Sequence, residues 1–357
     1  MKSIQIKSGQ GDYAVDFFDD VGSIWRALES LPKCVALIDR NVLELYADSL
    51  RSLTDLIPVL VIDATEEEKT LVGISRCIDF FQKNDCTKQS VVIAIGGGII
   101  QDIATFSSHL YYRGIKWIMV PTTLLSMADS CIGAKCGINF NVHKNQLGVF
   151  NSPSKILLCS KFVETLSDDD VRSGYGEILK LSLTGERDFY DFLKESVSNF
   201  GFRNDHLPEL IYRSLKVKKK VIELDEYESD LRRILNYGHT FGHSLESLTE
   251  YEVSHGAGVA WGLDLVNLIS LRKDLLCEED FCNIHNFVKQ YFPIRTSVAI
   301  LSDKLIDGTR RDKKNRDGRL NLVLLEKSGK LIIEPIEFDS WLNSVVSDYL
   351  RDYQCVL

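Results

Sequence analysis

The first half of the chain alternates short apolar runs with segments of helical spacing. Continuous apolar runs rich in β-branched residues predict strands buried on both faces at Cys34–Asp39, Pro58–Asp63, Ser90–Ile95 and Lys116–Val120. Helical spacing predicts helices over residues 66–83 and 99–111. Because such alternation is typical of a parallel sheet covered by helices, we expect an α/β, Rossmann-like parallel-sheet domain over residues 1–165.

Beyond residue 165 the strand signals fade. Helical spacing predicts helices around residues 168–200, 205–228, 231–250, 257–273 and 279–291. Two short apolar runs, Leu320–Leu325 and Lys330–Pro335, predict a hairpin with Ser328–Gly329 near its turn. We therefore expect a mostly α-helical domain over residues 166–357, and an active site in the cleft between the two domains, where ligands commonly bind.

Composition is that of an ordinary globular protein. Of the 357 residues 45% are hydrophobic and 26% are charged, which excludes a disordered or collagen-like chain. The formal net charge of −9 offers no broad attraction to nucleic acid or to an anionic membrane. The sequence shows neither a signal peptide nor an apolar run long enough to span a membrane. The nine cysteines include no C-x-x-C pair, so we expect reduced, mostly buried thiols in a cytoplasmic protein.

Three glycines, Gly96–Gly98, lie between a predicted strand and a predicted helix. Glycines there let the backbone approach a pyrophosphate, and the helix N-terminus offers unpaired N–H groups. Because the run does not follow the G-x-G-x-x-G pattern, a tight β–α turn is an equally good interpretation. Asp39 and Asn41 end an earlier strand, either as a ribose-binding acid would or as a loop cap.

Three of the seven histidines lie between residues 239 and 255. His239 and His243, in NYGHTFGHSLE, have a spacing that places both imidazoles on one face of a helix. His255 follows in SHGAGVAWG, and Glu177 and Lys180 share a helical face in GYGEILK. A lone helical histidine is usually a core or surface residue. This grouping with an acidic candidate favours a divalent metal site with positions left open for substrate oxygens.

The turn-rich stretch 129–145 predicts a loop that carries several charged or polar candidates, namely Asp129, Lys135, Lys144 and Asn145. A lysine supplies a point charge and an asparagine fixes orientation, so this loop could hold a phosphorylated substrate. Solvated surface lysines are the alternative interpretation. The same alternative applies to Lys218–Lys220 and to residues 312–316.

Taken together, these segments resemble the 3-dehydroquinate synthase family, within the wider sugar phosphate cyclases. From about residue 90 to 325 the matching motifs run in family order with family spacing: GGGIIQD (96–102), YRG (112–114), VPTTLLSMADS (120–130), GAKCGIN (133–139), KNQLG (144–148), GYGEILK (174–180), LRRILNYGHTFGH (231–243), SHGAG (254–258) and DKKN (312–315). The first 85 residues match only loosely.

The resemblance implies an enzyme that uses NAD and a metal ion, zinc or cobalt. It implies that the metal ligands are Glu177, His239 and His255. NAD would bind in the cleft between the domains, on residues Asp39, Glu66, Lys69, Gly97, Gly98, Ile99, Asp102, Thr122, Thr123, Leu125, Asp129, Ser130, Lys144, Phe162 and Thr165.

The resemblance also implies residues for a phosphorylated sugar acid. The substrate phosphate would be held by Lys135, Asn145, Asn236 and either Lys313 or Lys314. Arg113 would reach that phosphate from the neighbouring subunit of a homodimer, and Lys218 and Arg232 would clamp the substrate carboxylate. The implied catalytic residues are Lys135, Lys180, Lys218, Arg232, Asn236 and His243.

Several positions depart from the family pattern without removing an implied ligand. They are Gln101, Ala134, Cys136, His143, Asp230 and Ala257. Changes of this kind alter the packing behind the ligands, where metal affinity and substrate choice are tuned.

The function that these features favour is a lyase of the 3-dehydroquinate synthase type. It would convert DAHP, a phosphorylated seven-carbon keto acid, to 3-dehydroquinate, with transient oxidation by NAD and loss of phosphate, as in the shikimate pathway of aromatic amino acid biosynthesis. The deciding pair is Lys218 and Arg232, because a buried carboxylate needs a cationic partner.

Cyclases acting on glucose 6-phosphate or sedoheptulose 7-phosphate bind no carboxylate and need no such pair. Amino-DAHP does carry a carboxylate, so the pair does not distinguish it from DAHP as the substrate. A polyol or glycerol phosphate dehydrogenase would differ by accumulating NADH. A non-catalytic relative would have no need of the metal ligands. The sequence leaves open the metal used in the cell and whether the pathway is general or specialised.

Overall fold

The computed structural model describes residues 2–31, 33–141, 143–310 and 319–353. The chain divides into two compact units, Met1–Leu166 and Ser167–Leu357, next to the boundary predicted from the sequence. Each unit has its own buried apolar core.

The first unit is built on a seven-stranded sheet. Its strands are β1 (Ser3–Ile6), β2 (Tyr13–Phe17), β3 (Cys34–Asp39), β4 (Val59–Ile62), β5 (Val91–Gly96), β6 (Lys116–Pro121) and β9 (Lys155–Leu158). They lie in the order β1-β2-β9-β6-β5-β3-β4, and all neighbours except β1 and β2 are parallel. The predicted parallel sheet is confirmed.

Burial differs between the centre and the edge of this sheet. Every residue of β3 is buried, as the continuous apolar run predicts. The expectation that Pro58–Asp63 forms a strand buried on both faces is wrong, because β4 is an edge strand in which only Ile62 is buried. The sequence pattern did not predict β1, β2 and β9.

Helices connect the parallel strands of the first unit. They are α1 (Val21–Glu29), α2 (Arg40–Leu45), α3 (Ala47–Thr54), α4 (Leu71–Lys83) and α5 (Gly98–Leu110). Short 3-10 segments cover Glu66–Glu68, Tyr111–Arg113 and Ser160–Thr165, and Ser126–Ser130 forms a π-helical turn. The helix predicted over 66–83 is interrupted, because Thr70 caps α4 by accepting a hydrogen bond from the Gly73 amide.

The prediction of a loop over residues 129–145 is wrong. This stretch contains β7 (Lys135–Phe140) and the start of β8 (His143–Phe150), which pair as an antiparallel hairpin. Most residues of β8 are exposed in the hairpin. An exposed strand needs no continuous apolar run, so the sequence pattern did not reveal it.

The second unit is mostly helical, as predicted. Its helices are α6 (Asp168–Thr184), α7 (Arg187–Phe200), α8 (Leu207–Leu224), α9 (His239–Leu248), α10 (His255–Arg272), α11 (Glu278–Tyr291), α12 (Ser302–Arg310) and α13 (Ser340–Asp348). Leu231–Asn236 forms a 3-10 segment and Tyr349–Tyr353 a π-helical turn. The predicted hairpin is confirmed by β10 (Leu320–Lys327) and β11 (Lys330–Ile336).

Two predicted helices are divided. The helix expected over 168–200 ends at Thr184, where Gly185 is its C-cap, and α7 begins at Arg187. The helix expected over 231–250 is a 3-10 segment followed by α9, and Gly238 joins them with a φ of 80°. Helical periodicity continues across such breaks, so the apolar pattern alone does not locate them.

Two predictions from composition can be compared with the described residues. All eight described cysteines are free thiols. Six of them are buried, whereas Cys277 and Cys282 are exposed. In residues 2–31, 33–141, 143–310 and 319–353, every helix is too short or too polar to cross a membrane.

Candidate functional site

A carboxylate and two imidazoles converge in the second unit. Glu177 lies in α6, His239 begins α9 and His255 begins α10. The Oε1 atom of Glu177 lies 2.9 Å from His255 Nε2 and 3.5 Å from His239 Nε2. Lys180, one turn after Glu177 on the same helix, places its Nζ 2.5 Å from the other carboxylate oxygen.

The charges of these groups depend on one another. Burial opposes ionisation of Glu177, but Lys180 and the two imidazoles outweigh it and hold the pKa of Glu177 well below its usual range. Burial lowers the pKa of His239 to about 4. Burial also disfavours the charge on His255, but hydrogen bonds to Glu177 and Glu246 outweigh it and raise the pKa of His255 to about 10.

Both rings direct Nε2 toward Glu177 and Nδ1 toward a separate acceptor. His239 Nδ1 lies 3.2 Å from the carbonyl oxygen of Tyr237, and His255 Nδ1 lies 3.0 Å from Glu246 Oε1. An Nδ1–H that donates outward leaves the Nε2 lone pair for a cation. One carboxylate oxygen and two imidazole nitrogens are a donor set that suits zinc or cobalt and leaves positions open.

His243 lies beside this group on the exposed face of α9. Its ring centroid is 5.2 Å from that of His239 and 5.6 Å from that of His255. One ring nitrogen from each of these three histidines lies within 4.8 Å of a ring nitrogen of each of the others. The three imidazoles therefore form a second possible ligand set. The contact of Glu177 with both Nε2 atoms favours the set that contains the carboxylate.

Two buried cations lie elsewhere in the second unit. Lys218 in α8 is 7% exposed and Arg232 in the 3-10 segment is 4% exposed. Arg232 Nη1 donates to the Glu226 carbonyl, and Asn236, at the end of the segment, donates to Glu228 Oε1 at 2.6 Å.

Asp225 organises the chain before Arg232. Its Oδ1 accepts the Ser229 amide at 2.8 Å, and its Oδ2 accepts the amides of Asp230 at 2.8 Å and Arg232 at 3.0 Å. Burial opposes the charge, but these amides outweigh it and hold the pKa of Asp225 below its usual range. The carboxylate therefore fixes the backbone from which the Arg232 side chain extends.

In the first unit, the candidate nucleotide residues lie after the carboxyl ends of neighbouring parallel strands. Asp39 ends β3, Gly97 caps α5 after β5, and Thr122 and Thr123 follow β6. A Cβ atom on Gly97 would lie 2.7 Å from Thr123 Cγ2, so any larger residue here would force the Thr123 side chain to shift. A Cβ atom on Gly98 would lie 4.0 Å from its nearest neighbour, Ser130 Oγ, so the first residue of α5 is less crowded than Gly97.

Asp39 caps the N-terminus of α2, which was one of the two roles that the sequence allowed for it. Its Oδ1 accepts the Asn41 amide at 3.0 Å at the start of α2. Burial raises the pKa of Asp39. The cap leaves Oδ2 as the oxygen for any ribose contact.

A polar network joins the segment after β4 to α5 and to the hairpin. Lys69 is buried, with Nζ 2.7 Å from Asp102 Oδ2 and 3.2 Å from Asn145 Oδ1. Asn139 in β7 donates to Glu66 Oε2 at 2.8 Å and accepts the Asn145 amide at 3.0 Å. Burial disfavours the charge of Lys69, but Asp102 outweighs it and raises the pKa of Lys69.

The other candidates of the first unit occupy several elements. Ile99 lies in α5, Leu125, Asp129 and Ser130 in or beside the π-helical turn, and Phe162 and Thr165 in the 3-10 segment after β9. Lys135 begins β7, Lys144 is exposed in β8, and Arg113 is exposed after α5 with a φ of 60°. Lys313 and Lys314 lie outside the described residues.

The structure shows the local surroundings of three residues that depart from the family pattern. Ala134 has a φ of 62°, a conformation that glycine adopts more easily. Asp230 has a φ of −151°, outside the left-handed region that favours glycine. Gln101 exchanges two hydrogen bonds with Ser130, at 2.8 and 3.0 Å, and so ties α5 to the π-helical turn.

Sequence reasoning missed three residues that position the candidates: Glu246, Asn139 and Asp225. Glu246 lies one turn after His243 in the quoted NYGHTFGHSLE motif, so helical spacing could have drawn attention to it. Asn139 and Asp225 act through contacts with segments that local pattern does not reveal.

Comparison with known proteins agrees with these features. The family model for the 3-dehydroquinate synthase N-terminal region matches residues 59–173, and that for the C-terminal region matches residues 174–315. The chain is 31% identical over 318 residues to a 3-dehydroquinate synthase from Alkaliphilus metalliredigens, covering 87% of this chain and 89% of the relative.

Two solved structures show the same fold. A 2-deoxy-scyllo-inosose synthase complexed with carbaglucose-6-phosphate, NAD+ and Co2+ has a TM-score of 0.86 at 22% identity, over 97% of this chain and 99% of that chain. A 2-epi-5-epi-valiolone synthase from Streptomyces hygroscopicus with NAD+ and Zn2+ bound has a TM-score of 0.85 at 24% identity, over 97% and 98%.

Proposed function

The chain belongs to the 3-dehydroquinate synthase family, and from that premise we propose that it converts DAHP to 3-dehydroquinate with elimination of phosphate. We also propose NAD and zinc or cobalt as its cofactors, which is supported by the donor set around Glu177 and by the ligands of the two solved relatives. When bound, NAD would supply a reversible hydride acceptor and the metal a Lewis acid.

The observation that carries the choice of substrate is the burial of Lys218 and Arg232. These are the two cations to which the family resemblance assigns the substrate carboxylate, and a buried cation binds a carboxylate through strong charge-assisted hydrogen bonds. DAHP carries both a carboxylate and a phosphate.

The remaining residues orient the substrate. Glu177, His239 and His255 would hold the metal, and Lys180 keeps Glu177 ionised through its contact of 2.5 Å. Lys135, Asn145 and Asn236 would hold the phosphate, and His243 would donate a hydrogen bond beside the reacting carbon. The departing phosphate can accept the proton itself, so catalysis consists largely of positioning and electrostatic stabilisation.

We further propose that the enzyme is a homodimer in which Arg113 serves the neighbouring subunit. Arg113 is exposed, and both Tyr112 and Arg113 have positive φ angles, which aims the side chain from a constrained turn. Mixing an Arg113→Met protein with a His239→Ala protein should restore part of the activity if the sites are shared. Absence of any restored activity in a mixed dimer would contradict the sharing.

The central test is phosphate release by the full-length protein with NAD and zinc. We expect release from DAHP without accumulation of NADH. Net NADH would favour a dehydrogenase. Turnover of amino-DAHP, sedoheptulose 7-phosphate or glucose 6-phosphate without turnover of DAHP would overturn the choice of substrate.

Variants of adjacent arginines sharpen this test. Arg232→Met should raise the KM for DAHP by about 30-fold or more, the effect of losing a buried charge partner. Arg233→Met is the matched control, since Arg233 is half-buried in the same segment and donates to the Ser229 carbonyl. Equal effects of the two substitutions would count against a carboxylate clamp at Arg232.

A further inference from the structure

The imidazole of His255 lies between two carboxylates. Its Nε2 is 2.9 Å from Glu177 Oε1 and its Nδ1 is 3.0 Å from Glu246 Oε1. Glu246 lies in α9, whereas His255 begins α10, so this contact joins the two helices next to the candidate metal ligands.

The partner of His255 differs in charge from the partner of His239. His239 Nδ1 faces the Tyr237 carbonyl oxygen, a neutral acceptor in the same part of the chain. Glu246 brings a carboxylate whose side chain is only 12% exposed. A carboxylate bonded to the outer nitrogen of a ligating imidazole fixes the ring and increases the basicity of the inner nitrogen.

The helix packing leaves room for this side chain. A Cβ atom on Gly258 would lie 3.3 Å from Glu246 Cγ and 3.4 Å from Glu246 Oε1. Gly258 therefore lets Glu246 extend across the surface of α10 toward His255. A larger residue at position 258 would crowd the carboxylate.

We propose that Glu246 is a positioning residue, which orients His255 and sets the affinity of the site for a divalent metal. The inference rests on the proposed function, in which His255 is a metal ligand. Glu246 would touch neither the metal nor the substrate and would act through the imidazole alone.

The test is the zinc affinity of the metal-stripped full-length protein at fixed pH, measured by competition with a chelating dye. Glu246→Gln keeps an oxygen acceptor but loses the charge, so we expect affinity to fall about tenfold. Glu246→Ala loses both, so we expect a fall approaching about 100-fold. Glu250→Gln is the matched control, because Glu250 is exposed and its side chain has no hydrogen-bond or ion-pair partner among the described residues.

A second readout separates positioning from general stability. Cobalt bound to the wild-type protein reports ligand geometry through its visible absorption, and Glu246→Ala should change that spectrum whereas Glu250→Gln should not. If Glu246→Ala does not fold by circular dichroism, the nearly isosteric Glu246→Gln protein decides the question. Zinc affinity within twofold of wild type for Glu246→Gln, or an equal loss for Glu250→Gln, would overturn the inference.

The outcome also distinguishes this inference from the proposed function. Loss of zinc in Glu177→Gln, with wild-type affinity in both Glu246 variants, would leave the metal site and remove only the role of Glu246. Zinc binding that depends on Glu246, in a protein that releases no phosphate from DAHP, would instead remove the proposed reaction and leave the inference standing.

Discussion

A Cβ atom on Gly176 would lie 2.0 Å from the carbonyl oxygen of Gly256, so helices α6 and α10 touch through their backbones. The contact is reciprocal, since a Cβ atom on Gly256 would lie 1.7 Å from the Ser173 carbonyl oxygen. Glu177 and His255 are the chain neighbours of these glycines. The glycine pair therefore sets how closely the carboxylate and the imidazole approach.

Gly176→Ala should push the two helices apart. We expect the free energy of unfolding to fall by about 1–3 kcal/mol. The new methyl group would meet backbone atoms of α10, which cannot rotate away as a side chain can, so the whole helix must shift. Zinc affinity should fall about tenfold or more, since Glu177 and His255 move with their helices. Urea unfolding and zinc competition measure the two effects.

Gly22→Ala in α1 is the control for this substitution. Its Cβ atom would lie 3.2 Å from Oδ1 of Asp20, the exposed N-cap of α1, and would meet no backbone of another element. We expect at most about 1 kcal/mol of stabilisation, the usual effect of alanine in a helix. Wild-type zinc affinity in Gly176→Ala would show that the helix contact does not set the spacing.

Metal binding should release a proton from His255. The pKa of His255 is raised to about 10 in the metal-free protein, so between about pH 6.5 and 9 the ring is protonated and Nε2 must lose its proton to bind a metal. The pKa of His239 is lowered to about 4, so this ring is already neutral in that range. Zinc affinity should therefore rise with pH, with about one proton released per ion.

Calorimetry at pH 8 in buffers of different ionisation enthalpy counts the released protons. Proton release equal to zero in the wild-type protein would show that His255 is neutral before zinc arrives.

Asp225→Asn should disturb the segment that carries Arg232. The amide side chain has a single acceptor oxygen, whereas the carboxylate accepts backbone amides through both oxygens. We expect the KM for DAHP to rise about tenfold with a smaller change in kcat, since substrate binding is lost rather than a bond-making group. Steady-state kinetics measures this split.

Asp230→Asn is the matched control for Asp225→Asn. Asp230 is exposed, and its side chain has no hydrogen-bond or ion-pair partner in the part of the chain that the structure describes. Its kinetics should match those of the wild type. Similar KM values for both variants would mean that Asp225 does not position Arg232.

Ala134→Gly should relieve backbone strain. A φ of 62° costs alanine about 1–2 kcal/mol, and glycine gives back roughly 0.5–1 kcal/mol through the entropy of the unfolded chain. We expect the free energy of unfolding to rise by up to about 1 kcal/mol. Ala27→Gly in α1 should lower it by about 1 kcal/mol, so the two substitutions should have opposite signs. An equal decrease in the free energy of unfolding for Ala134→Gly and Ala27→Gly would contradict backbone strain at Ala134.

Much of the first unit follows from local sequence. The apolar runs that form β3 and β5 are long enough to specify strands without reference to the rest of the chain. Gly97 lies in the β5–α5 turn, where a Cβ atom would lie 2.7 Å from Thr123 Cγ2. By contrast, β1 and β9 are only four residues long, and their strand structure depends on pairing with neighbours in the sheet.

Local sequence also predicted most helices of the second unit, but not where they break. The residues before and after Gly185 have helical spacing, so only the packing of α6 and α7 shows that they are separate helices. The turn at Gly238 likewise directs α9 away from the 3-10 segment before it.

The sequence by itself determined the types and positions of the candidate ligands, and its family motifs indicated which of them act together. Only the tertiary structure brought Glu177 and His255, 78 residues apart, to 2.9 Å and placed Glu246 behind the imidazole. The reason is physical: helical periodicity and turn preference depend on near neighbours in the chain. The distance between two helices depends on which residues along both of them lack a side chain at the point of contact.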